Sequence, residues 1–100
     1  MKQPIVITCK KELEPLIPRY VARRREEVAS LRAKLDARDF EGLRIIGHSL
    51  KGSGGGFGFW ALSDIGGRIE QAAVAADAAA LESLVAEHAD HVERLQVVYA

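Results

Sequence analysis

Cysteine occurs only once in the 100 residues, as Cys9. A lone thiol closes no internal disulfide and has no second thiolate with which to hold zinc, so disulfide scaffolds and cysteine-based metal modules are excluded. Long apolar runs are also missing. No stretch approaches the ~20 residues that span a bilayer, and no basic segment followed by an apolar one marks a secretory leader, so the expectation is a cytoplasmic protein with no membrane role. Net charge is absent as well, with 14 Lys and Arg against 14 Asp and Glu. That balance removes the phosphate-neutralising excess on which non-specific nucleic-acid binding depends. There is no internal repeat, no β-type alternation and no linker that would divide the chain. At this length residues 1–100 make a single domain with one modest core, too small to house a nucleotide-binding catalytic domain as well.

The charge that is present is sorted along the chain. Residues 1–51 carry twelve basic and seven acidic side chains, whereas residues 52–100 carry two and seven. A basic helix packed beside an acidic one accounts for most of this. What remains is a surface suited to an acidic partner or a phosphoryl group. The run Arg23–Arg25 reads as a solvated face.

Apolar spacing gives an all-α chain. Pro4 to Thr8 reads as an extended lead-in (1–8) whose Ile5, Val6 and Ile7 can lie over a groove, and Thr8 is placed to cap a short helix over 9–17. Pro15 and Pro18 keep that piece from running into the next, and Pro18 suits the first turn of a new helix. Tyr20, Val21, Val28, Leu31 and Leu35 then recur at helical spacing, with Arg24 inside the stripe, predicting a helix over 18–38. Asp39 caps a helix over 39–56 that buries Phe40, Leu43, Ile46, Gly47 and Leu50. A helix over 58–76 buries Leu62, Ile65, Gly66, Ile69 and Ala73. Asp77 caps the last, over 77–99, whose stripe is Leu81, Leu84, Val85, His88, Val92, Leu95 and Tyr99. Short connections make this an antiparallel four-helix bundle with a short extra N-terminal helix, most simply a monomer.

The stretch His48-Ser49-Leu50-Lys51-Gly52-Ser53-Gly54-Gly55-Gly56-Phe57-Gly58 stands out, because each glycine inside a helix costs about 1 kcal/mol relative to alanine. At 100° per residue His48 lies about 150° from the Leu43/Leu50 direction and so faces solvent. Gly55 falls about 20° from it, Arg44 and Gly52 about 40°, and Lys51 about 60°. Gly52 and Gly55 thus clear the space around the imidazole, and Lys51 can bring an ammonium to whatever the ring carries. Imidazole is the side chain whose ordinary titration range keeps a neutral, nucleophilic nitrogen available near neutral pH. A phosphoryl group placed there spreads charge over three oxygens, which Lys51 and Arg44 are positioned to stabilise.

The constellation resembles the histidine-containing phosphotransfer (HPt) domains of bacterial two-component phosphorelays, whose H-x-x-K-G signature is met by His48, Lys51 and Gly52. The resemblance extends to Asp39-Phe40 before the motif, to Gly55, Gly58 and Leu62 after it, to Ile69-Glu70, and to the helical plan. It implies that His48 is phosphorylated, that Lys51 neutralises the phosphate, and that Gly52 and Gly55 give clearance to a receiver domain. The partners implied are the receiver domains of a hybrid histidine kinase and a response regulator. Their aspartate and bound magnesium supply the remaining chemistry, so no cofactor of the chain's own is expected. Three consecutive glycines at 54–56 exceed what the pattern requires and blur where this helix ends.

Other readings are weaker. Gly52–Gly58 puts Phe57 where a G-x-G-x-x-G loop needs its third glycine, and no P-loop lysine follows. A zinc site of His48, His88 and His91 lacks good spacing and a fourth ligand; His88 reads instead as a satisfied core or boundary histidine. Phe57 and Trp60 fall off the core stripe, either packing beneath the lead-in or joining Ile45 in an apolar dock for a partner. A non-phosphorylated interaction module and the front domain of a larger histidine kinase remain alternatives.

Overall fold

The computed structural model describes residues 2–100. Strand β1 (Ile5–Cys9) leads through a 3-10 turn at Lys11–Leu13 into four helices, α1 (Ile17–Asp36), α2 (Phe40–Phe57), α3 (Trp60–Val74) and α4 (Ala78–Arg94). Strand β2 (Leu95–Tyr99) follows without a break. The helices form the antiparallel bundle that their spacing predicts, and β1 pairs with β2 in parallel, Ile5 opposite Leu95 and Cys9 opposite Tyr99.

Local chemistry sets most of the boundaries. Pro18 occupies the first turn of α1, where its missing N–H costs nothing. The Asp39 carboxylate accepts from the Gly42 amide at 2.9 Å and Asp77 from Ala80 at 3.0 Å, caps worth about 1 kcal/mol each. Three helices end on a left-handed residue, Arg38 (φ 55°), Gly58 (φ 84°) and Ala76 (φ 52°). The amide after each returns to a helical carbonyl, Asp39 to Lys34 at 2.8 Å, Phe59 to Gly54 at 2.7 Å and Asp77 to Ala72 at 2.9 Å. Gly58 adopts this geometry freely, whereas Arg38 and Ala76 do so at a cost of about 1 kcal/mol each.

Four expectations are corrected. The segment 9–17 is not an α-helix: Thr8 lies within β1, Lys10 precedes the 3-10 turn without a side-chain cap, and Pro15 and Pro18 leave no room for a helical ladder. The last helix stops at Arg94 rather than 99, because Val97 and Val98 favour a strand and β1 supplies its partner. The third helix starts at Trp60, since Gly58 turns the chain and Phe59 is its N-terminal flank, buried in the core. Of the arginine run only Arg23 is simply solvated. Arg24 is buried over the Tyr20 ring at 4.8 Å, 3.3 Å from Glu27, and donates to Ser53 Oγ at 3.3 Å; Arg25 donates to the carbonyls of Val92 and Leu95.

Two apolar layers fill the bundle. Ile17, Leu50, Phe59, Leu62, Val92 and Leu95 occupy one end, and Leu31, Leu43, Ile65, Ile69, Leu81 and Val85 the other. Helices α2 and α3 touch through their backbones. A Cβ on Gly47 would stand 2.8 Å from the Gly66 carbonyl and 2.7 Å from the Glu70 amide, and one on Gly66 only 2.6 Å from the Lys51 amide. This glycine-on-glycine contact fixes the register between the two helices, and Gly54, set 2.8 Å from the Ser63 amide by the same measure, extends it. The buried face of α2 therefore requires glycine for packing, independently of anything on its outer face.

Candidate functional site

His48 stands on the outer face of α2, its side chain 69% exposed, as the wheel predicts. The Gly47–Gly66 contact brings α3 so close that Glu70, one turn after Gly66, reaches the ring: Glu70 Oε2 lies 2.9 Å from His48 Nδ1. The other oxygen, Oε1, lies 3.9 Å from Lys51 Nζ. The Lys51 stem runs over Gly67, where an added Cβ would stand 3.5 Å from Lys51 Cδ, while the Lys51 backbone carbonyl accepts from Ser63 Oγ at 2.7 Å. His48, Lys51 and Glu70 thus form one cluster across two helices. Sequence spacing brings out His48 and Lys51 but gives Glu70 no role. The signal that marks it is the pair Gly47 and Gly66, each on a buried face, which aligns Glu70 with the residue after Gly47.

The carboxylate decides which ring nitrogen is reactive. An ionised carboxylate only accepts hydrogen bonds, so in the neutral ring the contact selects the tautomer with the proton on Nδ1 and the lone pair on Nε2. Nε2 is the nitrogen left free of the Glu70 contact, on a side chain that is mostly solvent-exposed.

The remaining predicted site residues fall into two groups. Among the described residues nothing lies within 4 Å of a Cβ added at Gly52 or Gly56, and at Gly55 a Cβ would meet Trp60 at 3.4 Å. Ile45 and Trp60 are 54% and 70% exposed; Ile45 lies one turn before His48 on α2, and Trp60, at the start of α3, stands beside Gly55, about two turns after His48. The bare glycines thus lie between two exposed apolar side chains, and Trp60 does not pack beneath the lead-in. Phe57 does not join this face: it is half-buried, with its ring 4.8 Å from that of Tyr20. Arg44 is held by Glu41, Nε to Oε2 at 2.9 Å, and this hydrogen bond depresses the Glu41 carboxyl below its ordinary range.

The histidines do not converge, and no three His, Cys, Asp or Glu side chains come together as a metal site among the described residues. His88 is fully buried, but it is not satisfied: neither ring nitrogen has a hydrogen-bond partner among the described residues. Burial, with smaller contributions from the charges on His91 and Arg24 that outweigh a weak approach to the Arg24 backbone, pushes its pKa down to about 4. No helix among the described residues is long and apolar enough to cross a membrane.

A family model described as the Hpt domain matches residues 16–97, and with a bundle carrying a solvent-facing histidine on its second helix the chain belongs to the Hpt domain family. Members of that family serve histidine phosphotransfer in two-component systems, as carriers that interact with receiver domains. No curated protein and no solved structure gives a significant match.

Proposed function

We propose that the protein carries a phosphoryl group on His48 Nε2 between receiver-domain aspartates of a hybrid histidine kinase and a response regulator. The observation that carries this reading is the Glu70–His48 hydrogen bond, which fixes the nucleophilic tautomer on an unobstructed helix face. In transfer, the Nε2 lone pair attacks phosphorus, the bond from phosphorus to the aspartyl oxygen breaks, and the carboxylate leaves with the electron pair. The proton stays on Nδ1. The ring becomes positively charged as the bond forms, and Glu70 faces that charge at contact distance. Lys51, 57% exposed and only loosely paired at 3.9 Å, turns from Glu70 to the incoming phosphoryl oxygens at little cost, because an exposed pair of this kind contributes under about 1 kcal/mol. The reverse step uses the same groups.

The protein supplies no metal in this scheme; magnesium arrives with the receiver. Ile45 and Trp60 provide apolar contact on either side, Gly52 and Gly55 let the receiver's surface approach the ring, and Arg44 lies at the margin as a charged contact. In this reading the protein works in the cytoplasm as a monomer.

The test is a relay in three parts. A phosphorylated receiver, this protein and a second receiver are mixed, and label reaching the second receiver is followed. Wild-type protein should pass label on and His48→Gln should not; equal passage with both variants would overturn the proposal.

A further inference from the structure

Residues 95–99 satisfy two patterns at once. Leu95 and Tyr99 continue the apolar stripe of α4 beyond His88 and Val92 at spacings of four, three and four. Yet Leu95, Val97 and Tyr99 also alternate inward along β2. No helix-terminating residue marks the end of α4 at Arg94, since no Gly, Pro or Asn occurs between Ala89 and Ala100, and Val97 and Val98 only lower the helix preference. Nor does a left-handed residue turn the chain there, as one does at the ends of α1, α2 and α3; Leu95 simply leaves the helix at φ −65°, ψ 127°.

What distinguishes the two outcomes is β1, helped by Arg25, whose guanidinium occupies the Val92 carbonyl that a continued helix would use. The Ala100 amide donates to the Cys9 carbonyl at 3.1 Å, the Lys11 amide to the Ala100 carbonyl at 3.2 Å, and Arg94 Nε to the Gln3 carbonyl at 2.7 Å. Among the described residues β2 is the only strand beside β1, and a two-stranded ribbon is marginal by itself. β1 also lies before residues 16–97, the part matched by the family model.

We propose that β1 and residues 95–99 form a conformational switch. With β1 docked the segment is a strand; with β1 released it rewinds as a further turn or so of α4, about five residues at 3.6 per turn. Cys9 and Leu95 share a buried cluster with Leu50 and Phe59, so the state of the ribbon sets the packing behind the glycine-rich end of α2. The switch lies in this ribbon and the end of α4, and it holds whether or not His48 is phosphorylated.

Proline substitution separates the states. Parallel ladders repeat every two residues, so the bonds at Cys9 and Lys11 put the Ile7 amide on the β2 side and the Val6 amide on the open side. Ile7→Pro removes a ladder donor, whereas Val6→Pro does not. The readout is the 13Cα secondary shift of residues 95–99. In Ile7→Pro these shifts should change from strand to helical sign while those of α1, α2 and α3 hold; in Val6→Pro they should stay strand-like. Strand shifts, or coil shifts without helix, in Ile7→Pro would overturn the proposal. Should Ile7→Pro not fold, the double variant Val97→Ala/Val98→Ala weakens the strand and favours the helix from the other side. Helical shifts at 95–99 with lost amide protection at Ala100 are expected there, and an intact ribbon would contradict the switch.

Discussion

Glu70 Oε2 and His48 Nδ1 lie 2.9 Å apart across the α2–α3 contact, and this pair turns an exposed histidine into an oriented one. Glu70→Ala should therefore slow phosphoryl transfer roughly 10- to 100-fold, the usual cost of losing the partner that orients an imidazole. Glu70→Gln, which keeps an acceptor but no charge, should fall between the two. Transfer rates decide this alongside the 15N shifts of the ring, which should report the Nδ1–H tautomer in the wild type and a tautomer mixture in Glu70→Ala. An unchanged tautomer would remove the carboxylate from the account.

Lys51 tests the charge stabilisation separately. Its ammonium is exposed and its ion pair loose, so Lys51→Ala should lower the transfer rate by about tenfold, worth ~1.4 kcal/mol in the barrier, and leave the fold intact. Circular dichroism and transfer rates on one preparation check both halves.

The glycines of α2 should respond in opposite senses according to the face they occupy. Gly52→Ala meets nothing within 4 Å among the described residues and should raise stability by about 0.5–1 kcal/mol through helix propensity. Gly47→Ala would place its Cβ 2.8 Å from the Gly66 carbonyl and should destabilise by about 2 kcal/mol or more through overpacking. Gly52→Leu should fold normally and lose receiver docking, which an NMR titration with the receiver would show. It is a cleaner probe than Gly55→Leu, whose side chain would press on Trp60.

The glycine run also shows what the sequence reveals and what it hides. Helix periodicity, Pro18, Asp39 and Asp77 announce the four helices, and the wheel sets His48 and Lys51 on the outer face because helix geometry is local. Glu70 is hidden, since its nearness to His48 depends on how closely two helices approach, a property settled by Gly47 and Gly66 together. The ribbon is hidden for a related reason. Leu95 and Tyr99 fit a helix as well as a strand, and only pairing with residues ninety positions earlier in the chain decides between them.

His88 predicts how stability depends on pH. Its folded pKa of about 4 lies below the 6.5 of an unfolded histidine, so between these values the unfolded chain binds the extra proton. Stability should fall as pH drops from about 6.5 to about 4, by up to about 3 kcal/mol from this residue alone. Urea unfolding at several pH values should show that slope in the wild type, and a shallower one in His88→Leu, where no ring remains to take up a proton. An identical slope in both would remove His88 as the cause.

The central claim is that His48 itself carries the phosphoryl group, and incubation with a phosphorylated receiver domain followed by chemical mapping of the label tests it most directly. The prediction is acid-labile, base-stable phosphate on His48 that disappears in a folded His48→Gln variant. Label that persists in that variant, or an unlabelled wild type beside a receiver that has lost its phosphate, would contradict it.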